Sequence, residues 1–261
     1  MREGSPCVAI KAAARQVSSG PQTCGSWMAR SRRLATAKAL AEELREREGR
    51  NLIAVGVYGS VARGEEREYS DIDMLVVVRR PRQSIRHHVR DGNLVTMLQQ
   101  TPAQARDEVT EGRADMNEAL GGWRSLRRLY DPSGLLADLR RRAMRPPSSQ
   151  FREATRRALL ETYEDLGKLR NAISARDQSE AREMAVWFSG GAMGVLHDLD
   201  GRVLQTGRRA FIELRGHGEV DRSVRRLRYN TLSLRETARL AEFVWRDLLS
   251  RAKRQRIPTP E

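Results

Sequence analysis

The stretch from Leu52 to Arg80 constrains the fold of this chain more than any other: LIAVGVYGSVARGEEREYSDIDMLVVVRR. Two apolar runs rich in Val and Ile, Leu52–Tyr58 and Asp71–Val78, are bounded by turn residues, which is typical of β-strands. The first run ends in Gly59-Ser60, and a charged loop joins it to the second. The pattern predicts two strands of one sheet, with a charged loop between them.

Two aspartates open the second predicted strand. Side chains alternate between the faces of a strand, so Asp71 and Asp73 share one face while Ile72 points into the core. A rise of about 3.3 Å per residue puts the two carboxylates roughly 7 Å apart. Mg²⁺ takes one or two carboxylates and completes its shell with water and phosphate oxygens. We therefore predict that Asp71 and Asp73 are ligands of Mg²⁺ or Mn²⁺.

Gly59 and Ser60 follow the first predicted strand, where a short helix would begin. Backbone N–H groups at such a terminus bind anions, and Ser60 adds a hydroxyl group. A phosphate site beside paired carboxylates is the equipment for phosphoryl or nucleotidyl transfer. The alternative interpretation is a hairpin whose second strand begins with solvated aspartates, and it does not require both carboxylates on one face.

The order Gly-Ser, a spacer, then Asp-Ile-Asp resembles the signature of the DNA polymerase β nucleotidyltransferase superfamily. This resemblance implies ATP or another nucleoside triphosphate as co-substrate and Asp71 and Asp73 as catalytic, metal-holding residues. It also implies that four residues bind the nucleotide: Gly59, Ser60, Arg63 and Ser70.

One position departs from the superfamily pattern. The superfamily adds a third carboxylate on a later strand, and the candidate strand here reads Asn93-Leu94-Val95-Thr96-Met97-Leu98. The position falls on Thr96 or Met97, and neither residue is acidic. The second metal ion, which helps to activate the nucleophile, is therefore in doubt. Either another acid activates the acceptor, or the protein binds a nucleotide and catalyses poorly.

A second resemblance lies at Glu161–Asn171 (ETYEDLGKLRN). This segment is similar to the first helix of the C-terminal domain in the kanamycin nucleotidyltransferases, which adenylylate antibiotics. The resemblance implies Glu164 as the catalytic general base and Lys168 as a phosphate ligand, and it implies a homodimer whose active sites are each built from two subunits. The alternative is that Glu164 and Lys168 form only a surface i,i+4 ion pair, which stabilises the helix by about 0.2–0.5 kcal/mol.

The rest of the chain predicts an α+β fold: a small mixed sheet with flanking helices, then an all-α helical bundle. Helical periodicity appears at Met28–Arg47 and in four segments after the Pro146-Pro147 cluster, while Gly121-Gly122 is expected to break its segment. The four segments are Phe151–Ile173, Glu180–Leu199, Val203–Leu214 and Ser233–Lys253. We expect residues 1–26 to be a poorly ordered extension, 27–147 the nucleotidyltransferase domain, 148–253 the bundle and 254–261 a tail.

The composition and charge of the chain limit the kinds of partner that we expect for it. A net charge of +14 over 261 residues permits a nucleic-acid partner, but no basic patch is interleaved with aromatic residues for base stacking. No apolar run approaches the roughly 18 residues that span a bilayer, and two cysteines without metal spacing favour a reduced, cytoplasmic protein. The sequence predicts transfer of AMP from Mg-ATP to a hydroxyl of a small polyhydroxylated acceptor, such as an aminoglycoside-like antibiotic. The alternatives are transfer to an RNA end or a protein hydroxyl, and a catalytically weakened nucleotide-binding homologue.

Overall fold

The computed structural model describes residues 24–216 and 218–260, so the extension predicted for residues 1–26 lies almost wholly outside it. The first part of the chain forms a sheet with flanking helices. Its elements are α1 (Cys24–Glu48), β1 (Leu52–Tyr58), α2 (Gly59–Arg63), β2 (Ile72–Val78), β3 (Ile85–Arg90), β4 (Asn93–Gln100), α3 (Pro102–Thr110), α4 (Met116–Ser125), β5 (Arg127–Tyr130) and α5 (Leu135–Ala143). The remaining elements are all helical: α6 (Ser148–Ser174), α7 (Gln178–Leu199), α8 (Ala210–Glu213), α9 (Glu219–Tyr229) and α10 (Leu234–Arg254), with short 3₁₀ turns at Gly49–Asn51 and Gly207–Arg209.

The sheet has five strands in the order β3-β4-β2-β1-β5. Strands β2 and β4 run parallel, and the other neighbouring pairs are antiparallel. The central strands β1 and β2 are apolar along most of their length because both faces of the sheet are covered. The predicted small mixed sheet, followed by a helical bundle, is confirmed.

The alternation in β2 sorts its side chains onto the two faces. Ile72, Met74 and Val76 pack in a core with helix α1, whereas Leu75 and Val77 pack in a second core beneath α3, α4 and α5. Asp73 precedes Leu75 by two residues and therefore lies on the same face as Leu75. The aspartates are thus held at the end of the sheet face that α4 covers.

Helix α4 runs through Gly121 and Gly122, so the predicted break there is wrong. Close packing leaves no room for a side chain at Gly121, whereas one at Gly122 would make an ordinary contact. A β-carbon on Gly121 would lie only 1.8 Å from the Leu204 carbonyl oxygen, and one on Gly122 would touch the Tyr58 ring at 3.6 Å. Close approach of a neighbouring backbone therefore explains Gly121 better than a turn does.

The helix predicted at Val203–Leu214 is also wrong. This segment is a loop, a 3₁₀ turn at Gly207–Arg209 and the single helical turn α8. Its apolar residues Leu204, Phe211 and Leu214 are nevertheless buried in the core of the helical region. Their spacing reflects burial, which a loop packed over α7 achieves without a continuous helix.

Helix α4 joins the sheet region to the helical region. The Asn117 amide donates to Asp198 Oδ1 at 3.1 Å, and the Asn117 carbonyl accepts from the Leu204 backbone N–H at 3.2 Å. Burial raises the pKa of Asp198 to about 8, although the Asn117 hydrogen bond lowers it. These contacts fix the loop after α7 against α4. Across the described residues, no helix is long and apolar enough to cross a bilayer.

Candidate active site

Gly59 turns the chain from β1 into α2 at the point where the two aspartates emerge. Its φ is +70°, a left-handed conformation that glycine adopts without strain. A β-carbon at this position would lie 2.7 Å from Asp73 Oδ2, so the carboxylate rests against the bare Cα. The Gly59 N–H donates to Ser125 Oγ at 3.2 Å, and that hydroxyl donates to the Gly122 carbonyl at 2.8 Å. In this structure Gly59 therefore contributes space for Asp73, while its N–H is used to hold α4.

Five of the residues predicted from the motif meet in one cleft of about 460 Å³. The loop between α7 and α8 lines the same cleft from the helical region. The motif residues are Gly59, Ser60, Arg63, Asp71 and Asp73, and the loop residues are Gln205, Thr206, Gly207 and Arg209. The cleft thus combines two carboxylates, a serine hydroxyl and arginines, which is the set of groups that a metal-bound polyphosphate requires.

Asp71 and Asp73 both reach the cleft from the start of β2. Asp71 directly precedes β2, Asp73 is its second residue, and both are partly exposed to the cleft. Mg²⁺ bound with a triphosphate needs only one or two carboxylates from the protein. Thr96 lies directly beside Asp73 in the parallel β2–β4 register, so the neighbouring strand supplies a hydroxyl where a third acid was sought. Within residues 24–216 and 218–260, no group of three or more His, Cys, Asp or Glu side chains could hold a metal ion.

Arg63 links the two walls of the cleft. Its Nε donates to Glu65 Oε2 at 2.8 Å, and its Nη1 donates to the Gln205 carbonyl at 3.3 Å. The loop that accepts this bond was missed by the sequence reasoning, which placed a helix there. Gly201 and Gly207 were the available signals, since glycines near the ends of an apolar segment often mark turns.

Ser70 does not line the cleft. It is buried, and its Oγ accepts from the Arg67 N–H at 2.8 Å within the turn that precedes Asp71. The Ser70 N–H donates back to the Arg67 carbonyl at 3.0 Å. In this structure Ser70 shapes the turn that presents Asp71.

An acidic pocket of about 270 Å³ adjoins the cleft on the same sheet face. Its floor includes Leu75 and Leu98, which are paired across β2 and β4, and three acids line it: Glu108, Asp115 and Glu118. Tyr58, Glu118 and Gly122 line both the pocket and the cleft. The two spaces therefore share a wall, and the pocket is acidic although the chain as a whole is strongly basic.

Tyr58 stands between the two spaces as a neutral phenol. Burial, followed by the nearby charges of Asp73, Glu108 and Asp71, raises its pKa far above the ordinary value. Tyr58 lies directly opposite Asp73 in the β1–β2 register. It can therefore act as a hydrogen-bond donor across the whole working pH range.

Glu164 and Lys168 lie apart from the cleft. They form an i,i+4 ion pair at 2.8 Å on α6, with exposed side-chain fractions of 69% for Glu164 and 48% for Lys168. The hydrogen bond from Lys168 lowers the pKa of Glu164. The face of α6 directed at α4 carries Glu161 and Asp165 instead, which line a further pocket with Glu118. Burial raises the pKa of Asp165.

The sheet region is similar to a known family of domains. Residues 37–121 match the nucleotidyltransferase domain family, a range that runs from α1 to α4 and contains the whole Gly59–Asp73 motif. The resemblance seen in the motif is therefore confirmed for this domain.

Two known proteins are similar to larger parts of the chain. An aminoglycoside nucleotidyltransferase (4') from Bacillus sp. is 26% identical over 146 residues, which are 55% of this chain. The chain thus spans 58% of the length of the curated relative it matches. The crystal structure of a nucleotidyltransferase-like protein from Exiguobacterium sibiricum aligns with a TM-score of 0.56 at 12% identity. That alignment covers 82% of this chain and 74% of the other, and it supports the fold alone.

Proposed function

We propose that this protein is a metal-dependent nucleotidyltransferase that moves a nucleoside monophosphate, AMP from ATP in the first instance, onto a hydroxyl of a small cationic acceptor. The observation that supports this most is the meeting of Ser60, Arg63, Asp71 and Asp73 in one cleft. The match of residues 37–121 to the nucleotidyltransferase domain supports the same reaction class.

In this proposal the residues of the chain bind and orient the triphosphate. Asp71 and Asp73 hold a divalent cation, Mg²⁺ or Mn²⁺, whose chemistry is to polarise the phosphate and neutralise the leaving pyrophosphate. The Ser60 hydroxyl donates to a terminal phosphate oxygen, and Arg63, already anchored by Glu65, offers its remaining N–H groups to the same oxygens. Tyr58, which lines both spaces, offers its phenol hydroxyl as a hydrogen-bond donor.

The acidic pocket supports the choice of acceptor. Glu108, Asp115 and Glu118 line a space that opens into the cleft, and Glu161 and Asp165 extend the acidic lining along α6. Carboxylates attract ammonium groups and repel phosphate backbones. This lining favours an amino-substituted sugar or cyclitol over an RNA end, and the relative named aminoglycoside nucleotidyltransferase (4') points in the same direction.

A homodimer is part of the proposal because the resemblance to the kanamycin nucleotidyltransferases makes Lys168 a phosphate ligand. Lys168 and its partner Glu164, however, lie outside the cleft of their own chain. An exposed ion pair on α6 can contact a nucleotide only at the cleft of a second copy. Mixing Asp73→Asn with Lys168→Ala, each of which we expect to be inactive by itself, tests this arrangement. Active sites shared between subunits would regain activity in the mixed dimer, whereas sites made by one chain would not.

The reaction itself is tested with ATP labelled at the α-phosphate and a panel of acceptors containing amino sugars, neutral sugars, short RNAs and peptides. We expect label to appear on the amino sugars in the presence of Mg²⁺, and Asp71→Asn and Asp73→Asn to abolish it. The matched control is Asp107→Asn, which removes an exposed carboxylate from α3 and changes the net charge by the same amount. Labelling that survives both cleft substitutions would refute the proposal.

A further inference from the structure

The sheet provides no third acid beside the aspartate pair, so the group that removes the acceptor proton has to come from elsewhere. Thr96 occupies the position next to Asp73 on β4. The hydroxyl of threonine, unlike a carboxylate, is not a base at neutral pH. The cleft wall opposite the sheet is therefore the place to search for the base.

Among the residues that the structure describes, four carboxylates line the cleft: Glu65, Asp71, Asp73 and Glu118. The aspartates are committed to the cation, and Glu65 is paired with Arg63 at 2.8 Å with 59% of its side chain exposed. Glu118 extends from the first turn of α4 and rests against the helical-region loop, since a β-carbon on Gly207 would lie 3.2 Å from its Oε1. It is the cleft carboxylate that no metal or arginine role already explains.

Glu118 also lines the acidic pocket and the pocket formed with α6. An acceptor held in the acidic pocket has to present its hydroxyl across the shared wall to reach the α-phosphorus. The wall consists of Tyr58, Glu118 and Gly122, and Glu118 is the member of this set with a carboxylate, the kind of side chain that serves as a general base. Its position thus joins the acceptor space to the phosphate space.

We propose that Glu118, acting within its own chain, is the general base of the transfer; this assignment rests on the proposed function. The Glu118 carboxylate takes the proton of the acceptor hydroxyl as the acceptor oxygen bonds to the α-phosphorus. The bond from the α-phosphorus to the bridging oxygen breaks, and pyrophosphate leaves with the electron pair. The assignment competes with Glu164, which only a second copy of the chain could bring to the cleft.

The test compares Glu118→Gln with the competing variant Glu164→Gln on α6 and with Glu46→Gln, a matched control at an exposed position of α1. We expect Glu118→Gln to lower kcat by about 10²–10⁴-fold, the range of general-base catalysis. The acceptor KM and the affinity for Mg-ATP should remain near the wild-type values, and the acidic limb of the kcat pH profile should disappear. Glu46→Gln should keep both the limb and kcat, and Glu164→Gln should keep the limb.

Several results would overturn the assignment. A Glu118→Gln variant with normal kcat, or with a raised acceptor KM alone, would make Glu118 an acceptor-binding residue. Loss of the acidic limb in Glu164→Gln instead would assign the base to α6. If Asp73→Asn is inactive while Glu118→Gln is active, the base assignment fails and the proposed function stands. If Asp73→Asn is active, or no acceptor is labelled by the wild-type chain, the proposed function fails and this inference fails with it.

Discussion

Gly59 provides the sharpest test of how the turn after β1 supports the aspartate pair. In Gly59→Ala the new methyl group would lie 2.7 Å from Asp73 Oδ2. The carboxylate would have to retreat by about 0.8 Å to reach an ordinary carbon contact near 3.5 Å. Because a misplacement of about 1 Å at a reacting centre can reduce the rate about 10²-fold, we expect a loss of that order in kcat/KM.

The φ of +70° adds a second effect of the same substitution. An L-residue in the left-handed region costs about 1–2 kcal/mol, which lowers stability without touching Asp73. Gly64→Ala is the matched control: its φ is +68°, and nothing lies within 4 Å of the added methyl group. Each variant should lose about 2–8 °C in Tm, from about 2–4 °C per kcal/mol for a chain of this size.

The assay measures Tm by calorimetry and kcat/KM by transfer of labelled nucleotide for both variants. The expected result is a similar loss of stability in the two proteins, with the loss of activity confined to Gly59→Ala. Equal activity losses would mean that backbone strain, and not the position of Asp73, limits the reaction. Full activity in Gly59→Ala would refute the placement of the carboxylate against Gly59.

Two further predictions concern the junction between α4 and the helical region. Gly121→Ala would bring a methyl group to 1.8 Å from the Leu204 carbonyl oxygen, next to the loop residues that line the cleft. We therefore expect weaker nucleotide binding, measured by titration calorimetry. The control Gly190→Ala has open space around the new methyl group and should stabilise its helix by up to about 1 kcal/mol. Asp198→Asn tests the buried acid: a folded pKa of about 8, far above the unfolded value, means that wild-type stability falls as pH rises from about 4 to 8. The Asp198→Asn variant keeps an oxygen for the Asn117 donor, so its Tm should change less than that of the wild type between pH 5 and pH 8. An equal change in the two proteins would contradict a raised pKa for Asp198.

The sheet and the aspartate pair could be predicted because they follow from strong local rules. Apolar runs bounded by turns give β1 and β2, and the two-residue period of a strand puts Asp73 on the face of Leu75. Gly59 was recognised from its place in the motif, and the structure adds the physical reason, which is contact with Asp73. These features depend on residues that are close together in the sequence.

The features that could not be predicted depend on tertiary contacts. Strand β3 is an edge strand exposed along almost its whole length, so IRHHVR has no apolar alternation to identify it. The 203–214 segment buries Leu204 and Phe211 without forming a long helix. Glu118 carries no motif at all, because its position matters only once α4 is packed against the sheet and the loop that contains Gly207.

The central claim is that Asp71 and Asp73 hold a divalent cation together with a triphosphate in the cleft beside Ser60. It is tested most directly by titrating ATP into the wild-type protein and the Asp73→Asn variant, with and without Mg²⁺. The account predicts that Mg²⁺ strengthens ATP binding to the wild type and that Asp73→Asn loses this increment while keeping the metal-free affinity. An equal Mg²⁺-dependent increase in both proteins would contradict it.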